Sequence, residues 1–127
     1  MRFRILVVDD NPINLKLASD VLEASGYVVD RVTDAESVMG CIGSFHPDLI
    51  LLDIALPGMD GLTLAKELKA NSDTKHIYIV ALTAFAMKGD DKKARDAGCD
   101  GYIAKPIDTR KLPYQVGETL SRGVGRC

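Results

Sequence analysis

Apolar and polar positions divide this chain into two kinds of segment. Short, mainly apolar runs rich in branched residues are typical of strands in a buried parallel sheet. We predict five strands, at Arg4–Val8, Tyr27–Val32, Asp48–Leu52, Ile77–Leu82 and Gly101–Ala104. Longer segments with helical spacing lie between and after them. We predict five helices, at Pro12–Ser25, Ala35–Gly43, Leu62–Ala70, Lys88–Ala97 and Thr109–Ser121.

The alternation of strands and helices predicts an α/β fold, a doubly wound parallel sheet of five strands with helices on both faces. The order 2-1-3-4-5 would place the first and third strands side by side, at the point where ligands bind in such sheets. The second strand is more polar and suits an edge. A chain of 127 residues fits one domain. We assign it to residues 1–122, followed by a frayed tail at 123–127.

The first helix carries the clearest boundary signals. Asn11 is a capping residue, and Pro12 follows it at the first helical position. Gly26 is a candidate left-handed stop after the helix. Its predicted inward stripe consists of Leu17, Ala18, Val21 and Leu22. The last helix is less regular, because Pro113 removes a backbone donor, so the regular helix could start there.

Charge and cysteine content exclude several classes of function. A formal net charge of −2 gives no reason to expect a nucleic acid or an anionic membrane as partner. No apolar run approaches the roughly 18 residues of a membrane span, and no signal-peptide pattern opens the chain. Cys41, Cys99 and Cys127 are odd in number and widely spaced, which favours a reducing, cytoplasmic location.

Three acidic residues follow two of the most apolar predicted strands. Asp9 and Asp10 come after the first strand, and Asp53 comes after the third. Parallel neighbours end at the same edge, so these carboxylates should converge and need a cation between them. A hard divalent cation with oxygen ligands, Mg²⁺ or else Mn²⁺, fits this set. In the alternative interpretation, Asp9 and Asp10 only cap the following helix.

Thr83 and Lys105 follow the fourth and fifth strands and would face the same crevice. Carboxylates with a metal ion, a hydroxyl and an ammonium together suit a phosphoryl group. One carboxylate could also be the nucleophile that forms an aspartyl-phosphate. Asp53 is the best candidate, because it stands alone after the most buried strand.

Four segments together resemble the signature of bacterial response-regulator receiver domains. They are Leu6–Asn11, Leu51–Gly61, Leu82–Ala84 and Lys105–Pro106. The stretch Thr83–Asp90 further resembles the single-domain receivers of the DivK type. The resemblance implies the flavodoxin-like fold of CheY and a role as phosphoacceptor in a two-component or phosphorelay pathway.

The resemblance also implies a role for each matching residue. Asp53 would accept a phosphoryl group from a phosphohistidine, and Thr83 and Lys105 would bind that group. Tyr102 would be an aromatic switch, and the Lys105–Pro106 bond would be cis. Phosphorylation would then change the surface of the fourth helix, fifth strand and fifth helix. The implied Mg²⁺ ligands are Asp9, Asp10, Asp53 and the backbone carbonyl of Ala55.

The implied partners are a sensor histidine kinase or histidine phosphotransfer protein and a downstream protein target. We expect no direct binding of nucleic acid, no membrane insertion, and a monomer or a weak phosphorylation-dependent dimer. Ile13 and Leu15 at the flanks of the first helix are candidates for docking the donor. Two alternatives stay open: an interaction module that works without phosphorylation, and a Mg²⁺-dependent phosphatase. Ala55 argues against the phosphatase, since such enzymes usually place a second carboxylate at that position.

Overall fold

Strands and helices alternate along the whole described part of the chain. The computed structural model describes residues 3–56, 61–83 and 90–124. The elements in order are β1 (Arg4–Val8), α1 (Pro12–Ala24), β2 (Val28–Val32), α2 (Glu36–Phe45), β3 (Leu49–Asp53), α3 (Gly61–Ala70), β4 (Tyr78–Thr83), α4 (Asp90–Asp96), β5 (Gly101–Ala104) and α5 (Leu112–Val124).

The five strands form one parallel sheet in the order β2-β1-β3-β4-β5. The predicted fold class, strand order and edge position of β2 are therefore confirmed. β3 lies at the centre and is buried along its whole length. Both β3 and β4 extend one residue beyond their predicted ends, so Asp53 and Thr83 are the last residues of strands.

The sheet separates two apolar clusters, because successive side chains of a strand point to opposite faces. Ile50 and Leu52 face a cluster formed with α2, α3 and α4. Leu49 and Leu51 face the other cluster, formed with α1 and α5. This two-sided burial explains why the central strands read as continuous apolar runs.

Helix α1 is rotated relative to its predicted orientation. Leu17 is 36% exposed, so its place in the inward stripe was wrong, whereas Ala18 and Leu22 are buried as predicted and Val21 is half-buried. Leu15 is buried in the α1–α5 cluster, so it is not available for docking as we expected. The stripe is instead completed by Leu15 and Ser19, whose hydroxyl donates to the Leu15 carbonyl.

The helix ends follow most of the local signals. Asn11 caps α1, and its side chain accepts from the amides of Ile13 and Asn14. Gly26 has a φ of 99°, in the left-handed region expected after α1, and Gly98, which follows α4, has a φ of 92°. Helix α5 begins at Leu112, next to Pro113, later than the predicted Thr109.

Several predicted features fall outside the described residues. They are residues 57–60 of the receiver-like segment Leu51–Gly61, residues 84–89 of the stretch Thr83–Asp90 with the predicted start of the fourth helix, and the last three residues of the tail, 125–127. Among the described residues, no helix is long and apolar enough to cross a membrane.

Two cysteines pack as apolar residues. Cys99 is buried and Cys41 is half-buried against the same three-helix cluster. Burial raises the pKa of each thiol to about 11, helped by Asp30 near Cys41 and by Asp100 near Cys99. Both thiols are therefore protonated at neutral pH and poorly reactive.

Candidate functional site

The carboxyl edge of the sheet brings together the side chains predicted to form a site. Asp9 follows β1, Asp53 ends β3, and Thr83 ends β4. Lys105 comes directly after β5. These four strands are consecutive neighbours in the sheet, so residues far apart in the sequence share one crevice.

Three carboxylates meet in this crevice. One oxygen from each of Asp9, Asp10 and Asp53 lies within 4.8 Å of the others. Asp9 is only 1% exposed and Asp53 only 3%, whereas Asp10 is open to solvent. The predicted convergence is thus present, and two of the three charges are withdrawn from water.

Lys105 supplies a positive charge inside the cluster. Its Nζ lies 3.0 Å from Asp9 Oδ2 and 3.1 Å from Asp53 Oδ2. Burial alone would lower the pKa of Lys105, but its interactions with Asp9 and Asp53 outweigh burial and raise it. The ammonium therefore stays charged, and among the described residues it is the one positive charge paired with this group of three carboxylates.

Asp9 shows most directly that the cluster is incomplete. Its Oδ1 accepts a hydrogen bond of 2.9 Å from the Asn11 amide. Its Oδ2 is buried and forms the ion pair with Lys105, but it accepts no well-aligned hydrogen bond from any residue in the described ranges. Burial raises the pKa of Asp9, and the charge of Asp53 adds to that effect, while Asn11 and Lys105 oppose it.

The donor set fits a hard divalent cation. Three carboxylates offer oxygen ligands, the buried Asp9 Oδ2 has the Lys105 ammonium as its one ion-pair partner among the described side chains, and the described charges of the cluster sum to a negative value. Mg²⁺ prefers such oxygen ligands and usually retains several waters, which the exposed position of Asp10 would allow. The alternative interpretation, in which Asp9 and Asp10 only cap α1, is wrong because Asn11 is the cap.

The comparisons with known proteins agree with this geometry. Residues 5–116 match the model of the family described as the response regulator receiver domain. The chain belongs to this family. The receiver is 46% identical, over 108 residues, to the polar-differentiation response regulator DivK of Brucella ovis, a match that covers 85% of this chain and 88% of that protein.

Solved structures show the same receiver fold. A putative response regulator from Chloroflexus aurantiacus superposes with a TM-score of 0.90 at 33% identity, and the match covers 96% of this chain and 100% of that chain. A CheY-like receiver domain protein from Methanospirillum hungatei also reaches a TM-score of 0.90, at 28% identity and 100% coverage of both chains. The predicted resemblance to CheY-like and DivK-type receivers is confirmed.

The remaining predicted residues of the receiver lie in, or just after, strands β3, β4 and β5. Thr83 is buried, and its carbonyl accepts a 2.7 Å hydrogen bond from the Lys105 amide. The Lys105–Pro106 bond is cis, as expected. Tyr102 is half-buried in β5 and packs against the three-helix cluster. Ala55 is exposed two residues after Asp53 and donates its amide to Asp53 Oδ1 at 2.9 Å.

Two contacts of the site could not be read from the sequence. One is the simultaneous pairing of Lys105 with two carboxylates. The other is the close approach of Gly61 to the backbone at Asp53. The sequence signals for the second were the position of Gly61 directly before a predicted helix and its place at the end of the receiver-like segment Leu51–Gly61.

Proposed function

We propose that this receiver is the phosphoacceptor of a two-component or phosphorelay pathway, and that Asp53 takes the phosphoryl group from a phosphohistidine. The observation that carries the proposal is the convergence of Asp9, Asp10 and Asp53 around the Lys105 ammonium. If the cluster were only structural, we would expect its charges to balance, whereas the described residues place three carboxylates beside one ammonium.

The transfer itself is an in-line substitution at phosphorus. An oxygen of the Asp53 carboxylate forms the new P–O bond as the P–N bond to the donor histidine breaks, and the imidazole leaves. The Ala55 amide and Lys105 hold the carboxylate from two sides, which fixes its direction before the donor arrives.

Four groups would hold Mg²⁺ in the proposed site: the side chains of Asp9, Asp10 and Asp53 and the backbone carbonyl of Ala55. Mn²⁺ would suit the same oxygen ligands. When bound, the ion would neutralise charge on the phosphoryl oxygens during transfer. Lys105 would then pair with the transferred group, and the Thr83 hydroxyl would hydrogen-bond to it.

Phosphorylation would act on a two-state equilibrium of the receiver. The backbones of Thr83 and Lys105 are joined by a hydrogen bond. Tyr102 lies in β5, the strand that ends directly before Lys105. We propose that Thr83 and Tyr102 pass the change to the surface of α4, β5 and α5, where a downstream protein binds. Thr83→Ala should still be phosphorylated but should lose phosphate-dependent partner binding. Undiminished binding by that variant would contradict the switch.

The donor would dock beside α1. Ile13 is 75% exposed and lies three residues from Asp10, with the partly exposed Leu17 one turn further along the helix. An apolar surface directly beside the acidic cluster suits a helix of a kinase or phosphotransfer domain. The proposal makes this chain a cytoplasmic signalling protein, monomeric or weakly dimeric when phosphorylated, rather than an enzyme.

Acetyl phosphate tests the proposal without a protein donor. The parent chain and Asp53→Asn are incubated with acetyl phosphate and Mg²⁺, and intact mass is measured with and without a chelator. We expect one phosphate adduct, in the parent only and only with Mg²⁺. Mg²⁺ binding is followed separately by calorimetry. An equal adduct in Asp53→Asn would remove Asp53 as acceptor, and failure of the parent to bind Mg²⁺ would favour the phosphorylation-independent module.

A further inference from the structure

Gly61 lies unusually close to the backbone of the phosphoacceptor. A Cβ atom added there would be 2.5 Å from Ile54 Cα, 2.6 Å from the Asp53 carbonyl oxygen and 3.2 Å from the Asp53 carbonyl carbon. All three atoms belong to the main chain at the end of the central strand, so none can move aside as the tip of a flexible side chain would.

The contact does not arise from a special backbone conformation of Gly61. The left-handed φ values of Gly26 and Gly98 are reason enough for glycine at those positions. At Gly61, the reason is the space that a side chain would need. The position therefore requires glycine because α3 begins in direct contact with β3.

Hydrogen bonds hold the two peptide units that meet at Ile54. The Gly61 amide donates to the Ile54 carbonyl at 3.1 Å, and the Ile54 amide donates to the Leu82 carbonyl of β4, also at 3.1 Å. The next residue, Ala55, donates its amide to Asp53 Oδ1. The backbone that orients the Asp53 carboxylate is thus fixed between β4 and the first residue of α3.

We infer that Gly61 is a positioning residue for the acidic cluster: the missing side chain lets α3 pack on the Asp53–Ile54 peptide, which holds the Asp53 carboxylate in place for the metal and the phosphoryl group. The inference rests on the proposed function of the cluster. Groups that orient metal ligands usually affect metal affinity by about 10- to 100-fold, and Gly61 acts in this way through backbone contact.

The test compares Gly61→Ala with Gly26→Ala. The control substitution strains a left-handed glycine that lies between α1 and β2, at the opposite end of the sheet, with open space around it. Both variants should lose thermal stability. We expect Gly61→Ala to bind Mg²⁺ about 10- to 100-fold more weakly than the parent by calorimetry. Gly26→Ala should bind Mg²⁺ as the parent does.

A second readout uses metal-free protein. Hydrogen exchange of the amides of Ile54 and Ala55 should be faster in Gly61→Ala than in Gly26→Ala at matched global stability, because the added methyl group displaces the Asp53 carbonyl group and Ile54 Cα, which belong to or join the two peptide units that carry these amides. Equal exchange rates together with equal Mg²⁺ affinity in the two variants would overturn the inference.

The parent chain decides the matter if Gly61→Ala does not fold. Coupling between binding and local opening is reciprocal, so Mg²⁺ should slow exchange of the Gly61 amide. The Tyr27 amide, which donates to the Leu22 carbonyl far from the cluster, is the reference. Mg²⁺ binding that leaves the Gly61 amide unaffected relative to Tyr27 would overturn the role of Gly61 alone. A parent that binds no Mg²⁺ would overturn both this inference and the proposed metal site.

Discussion

A partly buried lysine pairs with aspartate at each of the two ends of the strands, which are called here the amino edge and the carboxyl edge of the sheet. The two lysines differ in the other groups that neutralise or hydrogen-bond the pair. At the amino edge, Lys69 Nζ lies 2.8 Å from Asp100 Oδ2 and donates to the Ile77 carbonyl at 2.8 Å. Asp100 Oδ2 also accepts from the Ile79 amide at 2.9 Å. The Lys69 ammonium is thus bound by a carboxylate and a carbonyl group, and Asp100 accepts from both the ammonium and a backbone amide.

At the carboxyl edge, the single ammonium of Lys105 meets Asp9 and Asp53, with Asp10 close by. The Asp9 oxygen nearest to Lys105 lacks a well-aligned hydrogen bond from the described residues. In the Lys69–Asp100 pair the two opposite charges balance each other, whereas the described charges of the carboxyl-edge cluster leave an excess of negative charge. The difference suggests that incomplete neutralisation, more than burial, distinguishes a ligand site from a structural pair.

Replacing each lysine should give the largest difference between the two edges, in the rate of phosphorylation. Lys105→Met should slow phosphorylation by acetyl phosphate by about 10²- to 10³-fold, the usual effect of removing one stabilising donor from a reaction site. The matched variant Lys69→Met should lose stability and keep a rate close to that of the parent. Stopped reactions analysed by intact mass give both rates at saturating Mg²⁺. Equal slowing in the two variants would mean that the edges do not differ as described.

Replacing one aspartate at each edge should change stability in opposite directions. Asp100→Asn should lower the free energy of unfolding by about 1–3 kcal/mol, because it breaks a satisfied network. Asp9→Asn should raise that of the metal-free protein by about 0.5–2 kcal/mol, the range of single stabilising substitutions, because it removes a crowded charge and keeps the acceptor for Asn11. Urea unfolding with a chelator measures both, and a loss in both variants would refute the contrast.

Asp34 provides a comparison for the acidic cluster, because its contribution to stability should depend on pH in a known direction. Asp34 also follows a strand at the carboxyl edge, but it accepts hydrogen bonds from Ser37 at the start of α2, which hold its pKa below the ordinary value of 3.8. The ionised form is favoured by folding, so its contribution is present above pH 3.8 and disappears as pH falls through the folded pKa. Asp34→Ala should therefore be less stable than the parent at neutral pH, and the gap should close in acid. A gap that is independent of pH, measured by urea unfolding at each pH, would show that the charge of Asp34 does not contribute to its stabilising contact with Ser37.

The smallest expected effect lies outside both edges. Gly40 and Gly43 are helical residues of α2, and a Cβ at either position would meet no atom within 4 Å. Gly40→Ala and Gly43→Ala should each stabilise the protein by about 0.5–1 kcal/mol. Thermal unfolding measures the gain, and Mg²⁺ affinity should stay unchanged. A change in Mg²⁺ affinity would show that the acidic cluster depends on α2.

The sequence patterns were sufficient for the sheet and for the residues that converge on it, because apolar runs and strand ends are local features. They placed Asp53 and Thr83 just past their strands, since a polar residue does not look like part of a buried strand. The orientation of α1 was harder to predict. Apolar residues occupy more than one face of that helix, so its spacing alone did not decide between Leu15 and Leu17.

Contacts between distant segments could not be predicted in this way. The double pairing of Lys105 depends on three strands that meet only in the folded sheet. The approach of Gly61 to Asp53 depends on where α3 begins relative to β3. Both require the tertiary arrangement, which fixes distances that no local pattern contains.

The order of the strands means that the site forms only when most of the chain is folded. The four strands that carry the site occupy consecutive places in the sheet, but they are spread from β1 to β5 along the chain. A molecule in which any one of these four strands is missing or unfolded lacks one wall of the crevice. Under the proposed function, such a molecule could not be loaded with phosphate, so the pathway would register only intact copies of the protein.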